Sequence, residues 1–201
     1  MNLSSKLLEN AVEAFATLPG IGKKTALRLA LHLLQEDKMA VKQFNEAITN
    51  MKQHIQFCKT CHNISDEELC SICTSPKRDK SVICVVESIK EVMAIENTQQ
   101  FHGVYHVLGG VISPIEGVGP NDLNISDLII RVQEQSIKEL IMAISPTIEG
   151  ETTIFYLSKQ LTEHPVKIST IARGVSFGGE LEYADELTLG RSILSRVDYQ
   201  K

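Results

Sequence analysis

Four cysteines in one short segment are the residues of this chain whose spacing points most directly to chemistry. They form two Cys-x-x-Cys pairs separated by eight residues: Cys58, Cys61, Cys70 and Cys73. This spacing can bring four thiolates to one tetrahedral Zn²⁺ ion, and a closed shell of four sulfurs leaves no position for a reacting water. We therefore expect one structural zinc ion per chain. A pair of disulfides is the alternative, but it requires an oxidising compartment, and we expect His54 and His62 to be exposed rather than to bind the metal.

A second candidate site is the segment spanning residues 18–25, which reads LPGIGKKT. Its proline ends one predicted helix, and its two glycines permit a tight turn before the next. The turn presents backbone N–H groups at a helix start, where the helix dipole favours an anion. Basic side chains at the same end predict sequence-independent binding to nucleic-acid phosphates, whereas the alternative is an ordinary corner between helices. The predicted DNA-binding residues are Gly20, Gly22, Lys23, Lys24 and Arg28.

A third candidate is Glu87, a carboxylate that follows the apolar run of residues 82–86. It could be a metal ligand or a general base, but Mg²⁺-dependent phosphoryl chemistry usually needs more than one carboxylate. A later apolar run, residues 139–144, is followed by Ser145, Pro146 and Thr147, with no aspartate. We therefore interpret Glu87 as a structural residue rather than a catalytic one. The glycine-bearing tail near Gly178 lacks the Gly-Lys-Ser/Thr ending of a P-loop, so it gives little support to nucleotide binding.

Two kinds of predicted element would position these sites. Residues 1–56 carry apolar side chains at steps of three and four, as amphipathic helices do. Residues 81–176 alternate strand-like runs (81–87, 105–108, 139–144 and 166–171) with helical segments, which predicts an α/β fold with a mostly parallel sheet. Cys84 is expected to be a buried strand residue. A last amphipathic helix is predicted to have as its inner side Leu187, Leu189, Ile193, Leu194 and Val197.

Charge is distributed unevenly along the 201 residues, whose formal net charge is −5. Residues 1–56 contain seven Lys and Arg against five Asp and Glu, whereas residues 81–201 contain nine against sixteen. A nucleic-acid face is therefore expected in the first part of the chain. No apolar run reaches membrane-spanning length, and the N-terminus lacks the apolar core of a signal peptide, so we expect a cytoplasmic protein that does not contact membranes.

Taken in order, these parts resemble RecR, a family of bacterial recombination mediators, over essentially the whole chain. The matching strings are residues 18–23 (LPGIGK), the two cysteine pairs with Arg78 and Asp79 after them, residues 82–88 (VICVVES), residues 105–110 (YHVLGG), and residues 173–174 (RG) with 179–186 (GELEYADE). The hairpin string alone would be weak, but together the strings are highly specific.

The resemblance implies an α+β protein of several modules. These are a helix-hairpin-helix DNA-binding domain in residues 1–56, a four-cysteine zinc finger in 57–80, a Toprim domain in 81–176, and a Walker-B-like segment with a helical oligomerisation arm in 177–201. It also implies DNA repair without catalysis: ring-like homotetramers that clamp DNA and act with RecO, and in many bacteria RecF, to help RecA load at single-strand gaps. The alternative is a Mg²⁺-dependent Toprim enzyme resembling a primase, topoisomerase or nuclease. Such enzymes pair a strand-end Glu with a later Asp-x-Asp, and here Glu87 matches the first whereas Ser145 to Thr147 replace the second.

Overall fold

The structure, a computed structural model, describes residues 4–175, 178 and 180–198. Three residues of the predicted tail, Ser176, Phe177 and Gly179, lie outside the described residues. The chain divides into two compact units between Ile55 and Gln56. Among the described residues, no helix combines the length and the apolar character that crossing a membrane would require.

The first unit consists of three helices, α1 (Lys6–Ala16), α2 (Lys23–Gln35) and α3 (Lys38–His54). Helix α1 begins after Ser5, whose side chain accepts a hydrogen bond from the backbone N–H of Leu8 and so satisfies one of the free donors at the helix start. The buried core of this unit is small and is formed by Val12, Ala26 and Ala30.

The second unit begins with a compact finger. Two short strands, β1 (Gln56–Phe57) and β2 (Ile64–Ser65), pair in antiparallel fashion. A single helical turn, α4 (Ser71–Thr74), follows them. With so little apolar material, the finger cannot be held together by a hydrophobic core alone, and the cysteines lie at its centre.

The rest of the second unit is built on a four-stranded parallel sheet with the strand order β4-β3-β5-β6. This confirms the predicted α/β fold, and all four predicted strands are present with ends that shift by no more than two residues. The elements in chain order are β3 (Asp79–Val86), α5 (Ile89–Asn97), β4 (Gly103–Val107), α6 (Ile125–Glu134), β5 (Glu139–Ala143), α7 (Ile148–Gln160), β6 (Lys167–Thr170) and α8 (Glu186–Leu194).

Helices cover both faces of this sheet because successive side chains of a strand point to opposite sides. Ile83 and Val85 of β3 pack with residues of α6 and α7, such as Leu128 and Leu157. Cys84 faces the other way, into the cluster that contains residues of α5, and is buried as predicted. The carboxyl ends of the parallel strands meet at one edge, where such sheets usually carry their functional residues.

The predicted inner side of the last helix is wrong for four of its five residues. Leu187, Ile193 and Leu194 are largely exposed, and Val197 is 90% exposed and lies beyond the end of α8. The apolar spacing correctly indicated a helix with an apolar side. It could not indicate whether this chain covers that side.

Candidate zinc centre and nucleic-acid interface

The four predicted metal-binding cysteines converge in the finger. Their Sγ atoms all lie within 4.8 Å of one another, and the Sγ atoms of Cys61 and Cys70 are 3.5 Å apart. All five cysteines of the chain are free thiols, so the disulfide alternative is not supported. Four sulfurs around a zinc ion at about 2.3 Å would lie about 3.8 Å from one another. The arrangement therefore fits one structural zinc ion with a closed sulfur shell.

Local backbone geometry brings the two cysteine pairs together. The first pair occupies a tight turn in which the His62 N–H donates to the Cys58 carbonyl (2.9 Å) and the Cys58 N–H donates to the Asn63 carbonyl (2.8 Å). His62 reverses the chain with a φ of 59°, a left-handed conformation in which histidine is more common than most residues. The second pair brackets the start of α4, where the Thr74 N–H donates to the Cys70 carbonyl.

Crowding of the sulfurs changes the acidity of the thiols. Contacts with the sulfur of Cys61, and next with that of Cys73, lower the pKa of the Cys70 thiol. The contact with Cys70, which is the largest influence, raises the pKa of Cys61. Zinc binding requires all of these groups as thiolates and displaces their remaining protons. The cluster is thus a preassembled donor set for a thiolate-binding metal.

Contacts that no sequence pattern indicated hold the finger against the α/β sheet. The Val107 N–H at the end of β4 donates to the Cys61 carbonyl (2.8 Å). His62 Nε2 lies 2.9 Å from Asp127 Oδ2 on α6 without forming a hydrogen bond, and its ring packs edge-on against His106 with centroids 5.3 Å apart. The prediction that His62 is exposed is wrong, since its side chain is only 19% exposed; His54 is exposed as predicted.

Arg78 anchors the segment that leaves the finger and enters β3. Its guanidinium pairs with the Glu96 carboxylate of α5 and donates to the Phe101 carbonyl (3.0 Å). The Tyr105 hydroxyl donates to the same carboxylate (2.7 Å). The hydrogen bond from Arg78, which is the largest influence, lowers the pKa of Glu96. Arg78 and its partners are far apart in sequence. The sequence shows that these groups can form hydrogen bonds, but it does not show that they contact one another.

The predicted DNA-binding segment forms the turn between α1 and α2. Gly20 has a φ of 78°, which strongly favours glycine. Gly22 caps α2 without a side-chain acceptor, so the first backbone N–H groups of the helix are open to an external anion. The first turn of α2 contains no acidic residue. The exposed basic side chains around this start are Lys23, Lys24 and Arg28.

Glu87 lies at the carboxyl edge of the sheet, directly after β3. The Gly109 N–H donates to its backbone carbonyl (2.9 Å), and the Ser145 N–H donates to its Oε1 atom. The strand-end segments expected at this edge therefore do meet. The carboxylate accepts a backbone donor from the very segment that would carry an Asp-x-Asp pair. Within the described ranges, the cysteine cluster is the only group of three or more potential metal-binding side chains.

Comparison with known families accounts for nearly the whole chain. Family models match a RecR helix-hairpin-helix over residues 8–52, a RecR zinc finger domain with four cysteines over 55–75, a Toprim domain over 81–172 and a RecR C-terminal region over 174–197. The range matched by the zinc finger model contains all four clustered cysteines, and so agrees with the geometry of the sulfurs.

Several curated proteins are similar over their full length. Proteins named "Recombination protein RecR" from Cytophaga hutchinsonii and Flavobacterium johnsoniae are 59% and 58% identical over 201 residues, which is 100% of this chain and 98% of each relative. The protein of the same name from Porphyromonas gingivalis is 56% identical over 196 residues, covering 98% of this chain and 95% of the relative. The chain belongs to the RecR family of recombination proteins.

Proposed function

We propose that this chain is a non-catalytic mediator of recombinational DNA repair that binds DNA regardless of its sequence. Family membership supports the role in recombination. The observation that carries the DNA-binding part is the start of α2, where uncapped N–H groups and three exposed basic side chains lie together. Four modules with the boundaries predicted above would have different roles. Residues 1–56 would contact DNA, residues 57–80 would fold around the metal, residues 81–176 would form a scaffold, and residues 177–201 would mediate assembly.

Charge supports confining the DNA contact to the first unit. Residues 1–56 are net positive, whereas residues 81–201 carry nine Lys and Arg against sixteen Asp and Glu. The acidic part would repel the phosphate backbone over much of its surface. Basic side chains and helix-start amides contact phosphates rather than base edges, so affinity should depend on salt and hardly on sequence.

The Toprim domain serves, in this proposal, as a scaffold without chemistry. One carboxylate leaves a Mg²⁺ ion mostly hydrated and poorly oriented for in-line attack on a phosphate. The Glu87 carboxylate is also engaged by the Ser145 N–H, which gives it a structural role at the sheet edge. The alternative is a Mg²⁺-dependent Toprim enzyme, which would turn over DNA in a direct assay with Mg²⁺.

Assembly into a clamp would explain how a small basic site holds DNA. One hairpin neutralises few phosphates, whereas linked copies raise the effective concentration of the remaining sites. Two apolar surfaces support assembly: the exposed side of α8, and an open groove of about 760 Å³ between the helices of the first unit, lined by residues such as Leu7, Leu34 and Phe44. We propose a homotetrameric ring that acts in the cytoplasm with RecO, and with RecF where it is present, to help RecA load at gaps.

The DNA-binding proposal can be tested by reversing charge at the start of α2. In the Lys23→Glu, Lys24→Glu double variant, binding to unrelated labelled duplexes should weaken alike, as measured by fluorescence anisotropy. If each lysine contacts one phosphate, the slope of log K against log salt should become shallower by about 2.

A matched control keeps the change in net charge but moves it along the same unit. Lys38→Glu with Lys52→Glu alters two exposed lysines of α3 and should leave both affinity and salt slope close to those of the parent. Equal losses in the two double variants would mean that only overall charge matters. Normal binding by the α2 variant would place the site elsewhere.

Removing the arm tests the clamp. A chain truncated before Asp185 keeps the hairpin but lacks α8 (Glu186–Leu194), so oligomer mass and DNA retention should fall together. A truncated monomer that holds DNA as tightly as the full chain would refute the clamp. Incubation with Mg²⁺ and supercoiled, nicked or primed DNA tests the scaffold role separately, because turnover abolished by Glu87→Gln would establish an enzyme instead.

A further inference from the structure

Arg131 on α6 is a buried cation without a carboxylate partner. It is only 6% exposed. Its Nη1 atom donates to the Tyr105 carbonyl (2.8 Å), and its Nε atom lies 3.4 Å from Gln135 Oε1. No ion pair among the described residues includes it. A buried charge is costly unless an opposite charge offsets it, so the surroundings of Arg131 must supply one.

Two carboxylates of α6, those of Asp127 and Glu134, are spaced four and three residues from Arg131, and neither forms an ion pair with it. Asp127 precedes Arg131 by four residues and so lies on the same face of α6. Its carboxylate is directed to the finger, where Oδ2 lies 2.9 Å from His62 Nε2. This leaves Arg131 dependent on some other negative group.

The cysteine cluster can supply that negative charge. Strand β4 connects the two: its Tyr105 carbonyl accepts from Arg131, and two residues later the Val107 N–H donates to the Cys61 carbonyl. Burial is the main influence on the pKa of Arg131 and lowers it, but all four clustered cysteines act on it in the opposite direction. A Zn²⁺ ion with four thiolates carries a net charge of −2, which a guanidinium in this position would partly neutralise.

We propose that Arg131 is the buried counter-ion of the zinc–thiolate centre, and that it couples zinc binding by the finger to the packing of α6 on the sheet. A fixed positive charge favours thiolates over thiols and so favours the metal. By reciprocity, the bound metal favours the packed state of Arg131 by the same factor. The inference concerns the zinc site alone and does not depend on DNA binding, on assembly or on partners.

The competing explanation is that Arg131 acts only as a hydrogen-bond donor to the Tyr105 carbonyl. Two substitutions separate charge from hydrogen bonding. Arg131→Gln keeps an N–H donor but removes the charge, whereas Arg131→Lys keeps the charge. If Arg131 is a counter-ion, the lysine variant should bind zinc more tightly than the glutamine variant. If it is only a hydrogen-bond donor, the two variants should not differ in this way.

The test measures the zinc dissociation constant of the full-length chain at fixed pH by competition with a chromophoric chelator. Arg131→Gln should weaken zinc binding at least about tenfold, the range found when groups around metal ligands are replaced, and Arg131→Lys should keep most of the affinity. Arg78→Gln is the matched control, because that half-buried arginine has its own carboxylate in Glu96. It should lower the melting temperature without a comparable loss of zinc affinity.

Unchanged zinc affinity in Arg131→Gln, or equal losses in the glutamine and lysine variants, would overturn the proposal. A second measurement uses the natural chain, in case the glutamine variant does not fold. Removal of zinc by chelator should speed amide hydrogen exchange in α6 around Arg131 more than in β6 (Lys167–Thr170), which serves as the internal reference. Equal changes in α6 and β6 would also overturn it.

Discussion

Replacing Gly150 with alanine should destabilise the second unit, although alanine is usually the better helix residue. Gly150 is the third residue of α7, is buried, and donates its N–H to Thr147 Oγ1 (3.0 Å). An added Cβ would lie 2.0 Å from the Ser145 carbonyl oxygen and 3.1 Å from Ile144 Cγ2. The oxygen belongs to the backbone and accepts from the Thr147 N–H (2.8 Å). It therefore cannot move aside as the end of a flexible side chain could.

The size of the effect follows from two opposing contributions. Cβ atoms essentially never approach another heavy atom closer than 3.0 Å, so the corner between β5 and α7 would have to open by about 1 Å. Such overpacking costs about 3 kcal/mol, and the gain in helix propensity from glycine to alanine returns about 1 kcal/mol. The net loss is about 2 kcal/mol. Because the same corner donates the Ser145 N–H to Glu87, the sheet edge should be disturbed as well.

Differential scanning calorimetry can measure this loss against an internal control. For a unit of this size, about 2 kcal/mol corresponds to a melting temperature lower by about 4–8 °C. Gly190 is also a helical glycine, but an added Cβ there would meet no atom within 4 Å, so Gly190→Ala should be neutral or slightly stabilising. Equal melting temperatures for the two variants would refute the steric argument.

Two further predictions concern the finger and its attachment. Metal analysis should give about one zinc per chain, and Cys61→Ser should lose the metal and lower the melting temperature because metal binding and local folding are coupled. The control variant Cys84→Ser changes a buried cysteine of β3 outside the cluster and should keep the zinc. Absence of zinc from protein prepared without chelator would contradict the site. Glu96→Gln should cost about 2 kcal/mol at neutral pH through loss of charge-assisted hydrogen bonds. Arg78 lowers the pKa of Glu96 in the folded state, so the unfolded state binds more protons at this carboxyl group. The stability contributed by the ion pair is therefore present above the ordinary carboxyl pKa and is lost as the pH falls through the pKa of Glu96 in the folded state. Urea denaturation from pH 7 to pH 3 should therefore show the parent and the variant converging, and a constant difference would contradict the role of the ion pair.

Local patterns in the sequence determined most of what this chain is built from. The spacing of four cysteines indicated a zinc finger, and the alternation of apolar strands with helical segments indicated a parallel α/β sheet. The glycine turn with its basic residues predicted an exposed helix start, and the structure has one. These inferences succeed because metal-ligand spacing, strand periodicity and the conformational freedom of glycine act over a few neighbouring residues.

Tertiary structure decided which distant residues meet. His62 was expected in solvent, yet α6 brings Asp127 to it across the chain. The apolar side of α8 was expected to be an inner side, yet most of it is exposed. The isolated position of Arg131 and the capture of Glu87 by the Ser145 N–H likewise depend on strand order and on how helices cover the sheet. The periodicity of the sequence identifies the apolar face of a helix or strand, and the residue type identifies a charged side chain. Which residue contacts that face or that charge depends on segments far apart in sequence, and no local pattern encodes those contacts.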